Sequence, residues 1–211
     1  MTCGRFIALE GGEGAGKSTQ ARLLAQALTR RGVASRITRE PGGTAGAEAI
    51  RALLLGSEGE GWHARAEALL FAAARSDHVE RLIRPALAAG EWVICDRFVD
   101  SSRAYQGGAG GLSDDDVMQL HRIGSEGLLP DLTLLFEIDP AKASQRLIAR
   151  DGGSSDRIGG RGAAYHAGVA AAFARFAAAE PQRFARIDAN GDQDTVAADV
   201  LAALVPLLSA G

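Results

Sequence analysis

The sequence predicts an α/β fold, a doubly wound parallel sheet of five strands flanked by helices. Short apolar segments alternate with longer segments of helical periodicity along the chain. Each short segment is apolar on both faces, as strands are when helices cover both sides of a sheet. The 211 residues, of which 46% are hydrophobic, suffice for the core of a single domain.

The strands and helices can be placed in order. Strands are expected at Arg5–Glu10, Ala34–Arg39, Glu91–Cys95, Asp131–Ile138 and Arg183–Asp188. Helices are expected at Lys17–Arg31, Ala45–Leu55, Ala64–Ala89, Ser113–Glu126, Pro140–Arg150, Ala163–Ala179 and Thr195–Leu208. Gly32 and Gly90 stand where a left-handed residue ends a helix, and Ser113 with Asp116 resembles a capping box.

Two segments fit neither pattern. Residues 40–44 form a turn after the second strand. Residues 151–162 contain five glycines and one large apolar residue, which predicts a mobile surface loop. This loop contains Arg157 and Arg161, and Arg150 precedes it. Beside a catalytic cleft it would be a lid, although the segment taken alone favours a solvated connector.

Composition argues against several classes of protein. A net charge of −3 with 23% charged residues disfavours both disorder and a polybasic nucleic-acid binder. We find neither a membrane-spanning stretch nor a signal peptide. Two cysteines give no disulfide framework, Cys95 is expected to be buried, and the four histidines lack metal-ligand spacing. We therefore expect a cytoplasmic protein with no nucleic-acid or membrane partner.

The strongest functional signal is Gly-Gly-Glu-Gly-Ala-Gly-Lys-Ser, between the first strand and the first helix. It matches the phosphate-binding loop G-x-x-x-x-G-K-[ST] in the strand–loop–helix context that the motif requires, where shuffling would give roughly 0.003 matches. Its lysine is one of two among 23 basic residues. A glycine turn that merely joins strand to helix is a poor alternative. ATP is therefore expected at Gly11, Gly12, Glu13, Gly14, Ala15, Gly16, Lys17, Ser18 and Thr19.

The residues around this loop suggest a metal and a second substrate. The Ser18 hydroxyl and Asp96, which ends the third strand, are expected to hold Mg²⁺. Arg97 would face a phosphate. A surface Asp–Arg pair would explain positions 96 and 97 equally well on their own, but the nearby phosphate-binding loop favours the phosphate. Phe71 and Arg75 share a helix face and could form a nucleobase pocket, the alternative being a core ring with a surface arginine.

The chain resembles bacterial thymidylate kinases over nearly its whole length. The resemblance rests on the segments 6–19, 38–44 (Thr-Arg-Glu-Pro-Gly-Gly-Thr), 69–75 (Leu-Leu-Phe-Ala-Ala-Ala-Arg), 96–98 (Asp-Arg-Phe), 101–107 (Ser-Ser-Arg-Ala-Tyr-Gln-Gly), 130–133 and 156–158 (Asp-Arg-Ile). It implies transfer of the ATP γ-phosphoryl group to dTMP for dTTP synthesis, a nucleoside monophosphate kinase fold and, usually, a homodimer.

The resemblance also implies roles for individual residues. Phe71 would stack on thymine and Arg75 would donate to its O4, while Arg51 and Arg97 would hold the dTMP phosphate. Glu13 would meet the sugar 3′-OH. The other positions implied are Glu40, Ser102, Tyr105 and Gln106 for dTMP, and Arg146 and Arg150 for ATP.

Catalysis also needs a cation near the transferring group, and none of the variable loop positions 12–15 is basic. An arginine of the 151–162 segment or of its flanks is the expected source, with Arg157 favoured over Arg150 and Arg161. We thus expect catalytic roles for Lys17, Arg97, Glu13 and Arg157. The sequence departs from the family at two places after Ile158. Family members often have acids just past Asp-Arg-Ile, where this chain has Gly-Gly-Arg. They also often have an arginine roughly a dozen residues beyond the Asp, where positions 168–170 of this chain read Gly-Val-Ala.

Two other functions remain open at this point. A deoxynucleoside kinase would phosphorylate a hydroxyl and would need a general base there. A P-loop switch would bind nucleotide without a small acceptor and would have no use for Phe71 and Arg75. ADP release from ATP in the presence of dTMP, thymidine or no acceptor distinguishes the three.

Overall fold

The sheet is parallel throughout, as the sequence predicts. The structure, a computed structural model, describes residues 4–56, 61–151 and 157–209. The strands are β1 Phe6–Gly11, β2 Ser35–Arg39, β3 Trp92–Asp96, β4 Leu132–Glu137 and β5 Phe184–Asp188. They lie in the order β2-β3-β1-β4-β5. Because the chain leaves β1 toward β2 and β3 on one side and reaches β4 and β5 on the other, a crevice forms at the carboxyl end of β1.

Helices cover both faces of this sheet. They are α1 Lys17–Arg30, α2 Ala45–Leu55, α3 Ala64–His78, α4 Arg84–Ala88, α5 Val99–Ser102, α6 Asp114–Ser125, α7 Pro140–Asp151, α8 Ala163–Ala179, α9 Gln193–Ala203 and α10 Val205–Leu208. Along β1, Ile7 and Leu9 pack with side chains of α1 and α9. Phe6 and Ala8 face the other way and pack with residues 79–86. The alternation of a strand thus supplies both cores.

Several predicted element ends are confirmed. Gly32 and Gly90 have φ angles of 73° and 81°, in the left-handed region that ends a helix. The Ser113 hydroxyl accepts from the Asp116 backbone N–H, and the Asp116 carboxylate accepts in return, which completes the capping box. Cys95 is buried, as expected.

Other boundaries differ from the prediction. The helix expected over Ala64–Ala89 is interrupted, because Val79–Ile83 is π-helical. The last helix begins at Gln193, since the Asp192 carboxylate caps its first turn, and it divides ahead of Pro206, which cannot donate a helical hydrogen bond. Residues 99–108, for which no helix or strand was predicted, form α5 and a second π-helical segment, Arg103–Gly108.

The predicted lid is described only in part. Helix α7 extends to Asp151, residues 157–160 form a turn, and α8 begins at Ala163. Residues 152–156 and the side chain of Arg150 lie outside the described residues. Within the described ranges, no helix combines the length and the apolar character needed to span a membrane.

Candidate active site

A cavity of about 590 Å³ opens at the carboxyl ends of β1, β2 and β3. Its lining comes from the loop after β1, the turn after β2, helices α2 and α3, the end of β3, the second π-helical segment and α7. Carboxyl ends of parallel strands meet at one edge of a sheet, so the loops that follow them converge. The cavity therefore unites the phosphate-binding loop with the residues predicted for an acceptor.

The phosphate-binding loop has the backbone that its glycines allow. Gly14 and Gly16 have φ angles of 73° and 87°, and Gly16 directly precedes α1. A Cβ atom on Gly14 would lie 2.6 Å from the carbonyl oxygen of Ala143 on α7, so a side chain at this position would collide with that helix. Residues 13–19 line the cavity, whereas Gly11 and Gly12 are not among its lining residues.

Lys17 is folded back onto its own loop. Its ammonium group donates to the carbonyl oxygens of Gly11, at 3.0 Å, and Gly12, at 2.7 Å. Burial, with a smaller contribution from the positive charge of Arg97, lowers the pKa of Lys17 to about 8. The loop thus holds a buried cation that an anionic ligand would stabilise.

Ser18 and Asp96 meet where the metal is expected. The Ser18 hydroxyl donates to Asp96 Oδ2 at 2.8 Å. The contact follows from the sheet, because β3 pairs with β1 and places Asp96 beside Leu9, close to the start of the loop. A hydroxyl and a carboxylate are the hard oxygen donors that Mg²⁺ takes, so this pair fits the predicted ion.

The backbone of Arg97 is left-handed, and a buried glutamate accepts hydrogen bonds from the residues that follow it. Its φ angle is 70°, left-handed for a residue with a side chain, and its guanidinium donates to the Ser101 hydroxyl at 3.2 Å. Glu10, at the end of β1, accepts from the backbone N–H groups of Phe98 and Ser101, at 2.8 and 3.0 Å, and from the Ser101 hydroxyl, at 2.6 Å. Burial, and next the negative charge of Asp100, raises the pKa of Glu10 to about 7.

Sequence reasoning gave no role to Glu10. The available signal was a charged residue at the end of an otherwise apolar strand.

A buried cluster of ion pairs holds α5 in place. Asp100 is fully buried and accepts from both terminal nitrogens of Arg183, at 2.6 and 2.9 Å. Arg103 donates to Asp100 at 3.0 Å and to Glu180 at 2.8 Å. This cluster ties the segment that carries Ser101 and Ser102 to β5 and α8. No local pattern predicted it, since Asp100 and Arg183 are 83 residues apart.

Arg75 lies at the centre of a buried polar network. Its Nε donates to Glu40 Oε2 at 2.7 Å, and its Nη2 donates to the Ser102 hydroxyl at 2.9 Å. Glu40 also contacts His78 Nδ1 at 3.0 Å, and His78 Nε2 contacts the Thr38 hydroxyl at 2.7 Å. Glu40, Arg75 and His78 are all buried, and the guanidinium is held by Glu40 from the turn after β2 and by Ser102 from α5.

The remaining acceptor residues surround Arg75. Phe71 and Tyr105 line the cavity, and both belong to the apolar cluster around α8. Arg51 on α2 lines it as well and donates to the carbonyl oxygen of Pro41 at 2.7 Å. The guanidinium of Arg97 lies 5.1 Å from the centre of the Tyr105 ring. Every residue predicted for dTMP thus lies at one cavity, together with Glu13 of the loop.

Gln106 takes part in a second buried network. Its Nε2 donates to Glu67 Oε1 at 2.9 Å. The other oxygen of Glu67 accepts from Arg161, which also donates to the Tyr165 hydroxyl at 2.6 Å. Sequence reasoning assigned nothing to Glu67 or His78. Both lie on the same face of α3 as Phe71 and Arg75, at spacings of three and four residues, and that periodicity was the available signal.

The end of the predicted lid lies against the loop and the acceptor pocket. Ile158 is buried and lines the cavity. A Cβ atom on Gly159 would lie 2.7 Å from a carboxylate oxygen of Glu13, so the backbone of Gly159 lies close to the end of the Glu13 side chain. The Arg157 guanidinium lies near Gly61. Arg157 is not among the cavity-lining residues, and its catalytic role stays a prediction.

Of the two arginines predicted to bind ATP, the structure describes the side chain of Arg146. It lines the cavity near Gly16 and donates to the carbonyl oxygen of Gly191 at 3.4 Å. The predicted role of Arg150 concerns a side chain outside the described residues.

Comparison with known proteins gives a consistent picture. The sequence model of a family described as thymidylate kinase matches residues 9–200. The thymidylate kinase of Rhizorhabdus wittichii is 57% identical over 205 residues, which cover 97% of this chain and 99% of that protein. That of Bradyrhizobium diazoefficiens is 48% identical, covering 95% and 89%. The crystal structure of thymidylate kinase from Ehrlichia chaffeensis is similar with a TM-score of 0.75 at 31% identity, covering 96% and 98%.

Proposed function

This chain belongs to the thymidylate kinase family, and on that premise we propose that it transfers the γ-phosphoryl group of ATP to dTMP, which yields dTDP and ADP. One observation carries the proposal. A single cavity holds a phosphate-binding loop and, facing it, an aromatic ring and a buried guanidinium suited to a pyrimidine.

The donor half binds the ATP phosphates. Backbone N–H groups of the loop and the start of α1 surround them, and Lys17 exchanges its loop carbonyls for phosphate oxygens. Ser18 and Asp96 would hold Mg²⁺, which when bound neutralises charge on those oxygens. Arg146 contacts the nucleotide from α7, and Arg150 is assigned to the same side.

The acceptor half selects and orients dTMP. Phe71 stacks on the base and Arg75 donates to its O4 carbonyl. An arginine has only donors, so it favours the carbonyl of thymine or uracil and opposes the amino group of cytosine. Arg51 and Arg97 hold the phosphate and Glu13 meets the 3′-OH. The rest of the pocket is formed by Glu40, Ser102, Tyr105 and Gln106.

The chemistry asks for positioning and charge more than for proton transfer. The nucleophile is a phosphate oxygen, whose second pKa of about 6 leaves it deprotonated at neutral pH. No side chain therefore has to act as a general base. Lys17 and Arg97 supply positive charge at the cavity, and Arg157 is proposed to add to it from the lid.

The organisation of the enzyme follows the family. We propose a single kinase domain over residues 1–211 with a lid at 151–162, acting in the cytoplasm as a homodimer. Exposed apolar side chains on neighbouring helices, Leu69 of α3 and Ile123 of α6, are consistent with an interface there.

The function is tested by measuring ADP release from ATP with dTMP, dCMP, thymidine or no acceptor. We expect release with dTMP, little with dCMP, and none above background with thymidine. Faster turnover of thymidine than of dTMP would identify a deoxynucleoside kinase. ATP binding without turnover of any acceptor would identify a nucleotide switch.

A further inference from the structure

The side-chain amide of Gln106 can face the cavity with either its oxygen or its nitrogen, and Glu67 decides which. Gln106 is buried, lines the cavity and donates through Nε2 to Glu67 Oε1 at 2.9 Å. A carboxylate only accepts hydrogen bonds, so the NH₂ end of the amide has to face Glu67. The carbonyl end is then turned away from Glu67.

Arg161 holds the Glu67 carboxylate through its other oxygen. Glu67 is 3% exposed, and its second oxygen accepts from the Arg161 guanidinium. The carboxylate is thus bound on one oxygen by Arg161 and on the other by the Gln106 amide. Arg161 is itself fixed by the Tyr165 hydroxyl, which donates to the backbone carbonyl of Tyr105 at 2.8 Å.

Thymine and cytosine differ in the hydrogen-bonding groups at positions 3 and 4 of the ring. Thymine presents the O4 acceptor beside the N3–H donor, whereas cytosine presents an amino donor beside the N3 acceptor. Arg75 offers a donor, and the carbonyl of Gln106, which lines the same cavity, offers an acceptor. This donor–acceptor pair matches thymine at both atoms and cytosine at neither.

We propose that Glu67 and Arg161 are positioning residues that orient the Gln106 amide and thereby strengthen the choice of dTMP over dCMP. The proposal rests on the proposed function, since it assumes a pyrimidine nucleotide in this pocket. It also gives Arg161, three residues after Ile158, a role in the acceptor pocket instead of at the ATP phosphates.

The decisive variant is Glu67→Gln, which keeps the size of the side chain but lets position 67 donate as well as accept. The Gln106 amide can then turn. We expect the KM for dTMP to rise while the inhibition constant of dCMP, measured as a competitor, stays the same or falls. The preference for dTMP should narrow about tenfold, the order expected when one buried hydrogen bond is lost.

Arg161→Met is the second variant, because it keeps the length of the side chain and removes the cation beside Glu67. It should narrow the preference in the same direction. Arg36→Met is the matched control. Arg36 also pairs with a glutamate, Glu91, at 2.9 and 3.1 Å, but this pair is more exposed and lies at the amino ends of β2 and β3, away from the cavity. The Arg36→Met variant should prefer dTMP over dCMP by the same factor as the wild type.

The outcomes separate this proposal from the proposed function. A wild-type protein that does not phosphorylate dTMP would overturn both. If the wild type prefers dTMP and both variants weaken dTMP and dCMP by the same factor, Glu67 and Arg161 only support the fold, and the inference alone is wrong. Melting temperatures establish that each variant is folded.

Discussion

The two halves of the cavity are built from contacts of very different range. In the phosphate-binding loop, Lys17 contacts carbonyl groups six and five residues before it. In the acceptor pocket, Arg75 is held by Glu40, 35 residues away, and Glu67 is held by Arg161, 94 residues away. Apart from the contact between Ser18 and Asp96, the phosphate-binding loop is therefore held within one local segment. The acceptor pocket instead depends on how the turn after β2, α3, the second π-helical segment and Arg161 pack.

This difference predicts different consequences of substitution. Lys17 is a buried cation whose present partners are loop carbonyls, so its removal should affect chemistry and spare the fold. Arg75 joins two elements, so its removal should affect both. The following experiments test that contrast, from the largest expected effect to the smallest.

Lys17→Met should lower kcat by about 10³-fold or more, the scale reported for a cation at the transferring phosphoryl group. The unfolding free energy without nucleotide should not fall, because the variant removes a charge that is costly to bury, as the pKa of about 8 indicates. Steady-state kinetics and denaturant unfolding measure the two quantities. A folded variant with near wild-type kcat would exclude a role of Lys17 in phosphoryl transfer. A large loss of stability would show that the fold depends on Lys17 as it is expected to depend on Arg75.

Arg75→Met should lower kcat/KM for dTMP by about 10- to 100-fold, since a buried hydrogen bond to the base is lost. It should also destabilise the protein by about 3–5 kcal/mol, because Glu40 is left buried without its cation. Adding Glu40→Gln to this variant should restore much of the stability, but it should not restore kcat/KM for dTMP. If stability is unchanged in the single variant, the acceptor pocket is no more dependent on packing than the loop.

Glu10→Gln should change how stability depends on pH. The pKa of Glu10 is raised to about 7, so the folded state holds a proton that the unfolded state has released between about pH 4.5 and 7. The wild type should lose stability relative to the variant as pH rises through that window, by no more than about 3 kcal/mol. Unfolding at pH 5 and pH 8 measures the difference, and parallel profiles would show that Glu10 titrates normally.

Local patterns predicted much of the fold. Short segments apolar on both faces located all five strands, and period-3.6 patterns located most helices, because burial of apolar side chains acts along each element separately. The patterns did not show that α3 continues into a π-helical segment, nor that residues 99–108 are helical. Long-range contacts hold the segment 99–108, since Glu10 of β1 accepts from the Ser101 backbone N–H and Asp100 pairs with Arg183.

By itself the sequence determined the phosphate-binding loop, since glycine conformations and the start of a helix are set by neighbouring residues. It also placed Phe71 and Arg75 on one helix face. Only the tertiary structure decided the partners of the charged groups, such as Glu40 and His78 beside Arg75, and Glu67 between Gln106 and Arg161. The reason is physical: a buried ion pair joins residues far apart in sequence, and its geometry exists only once their elements have packed.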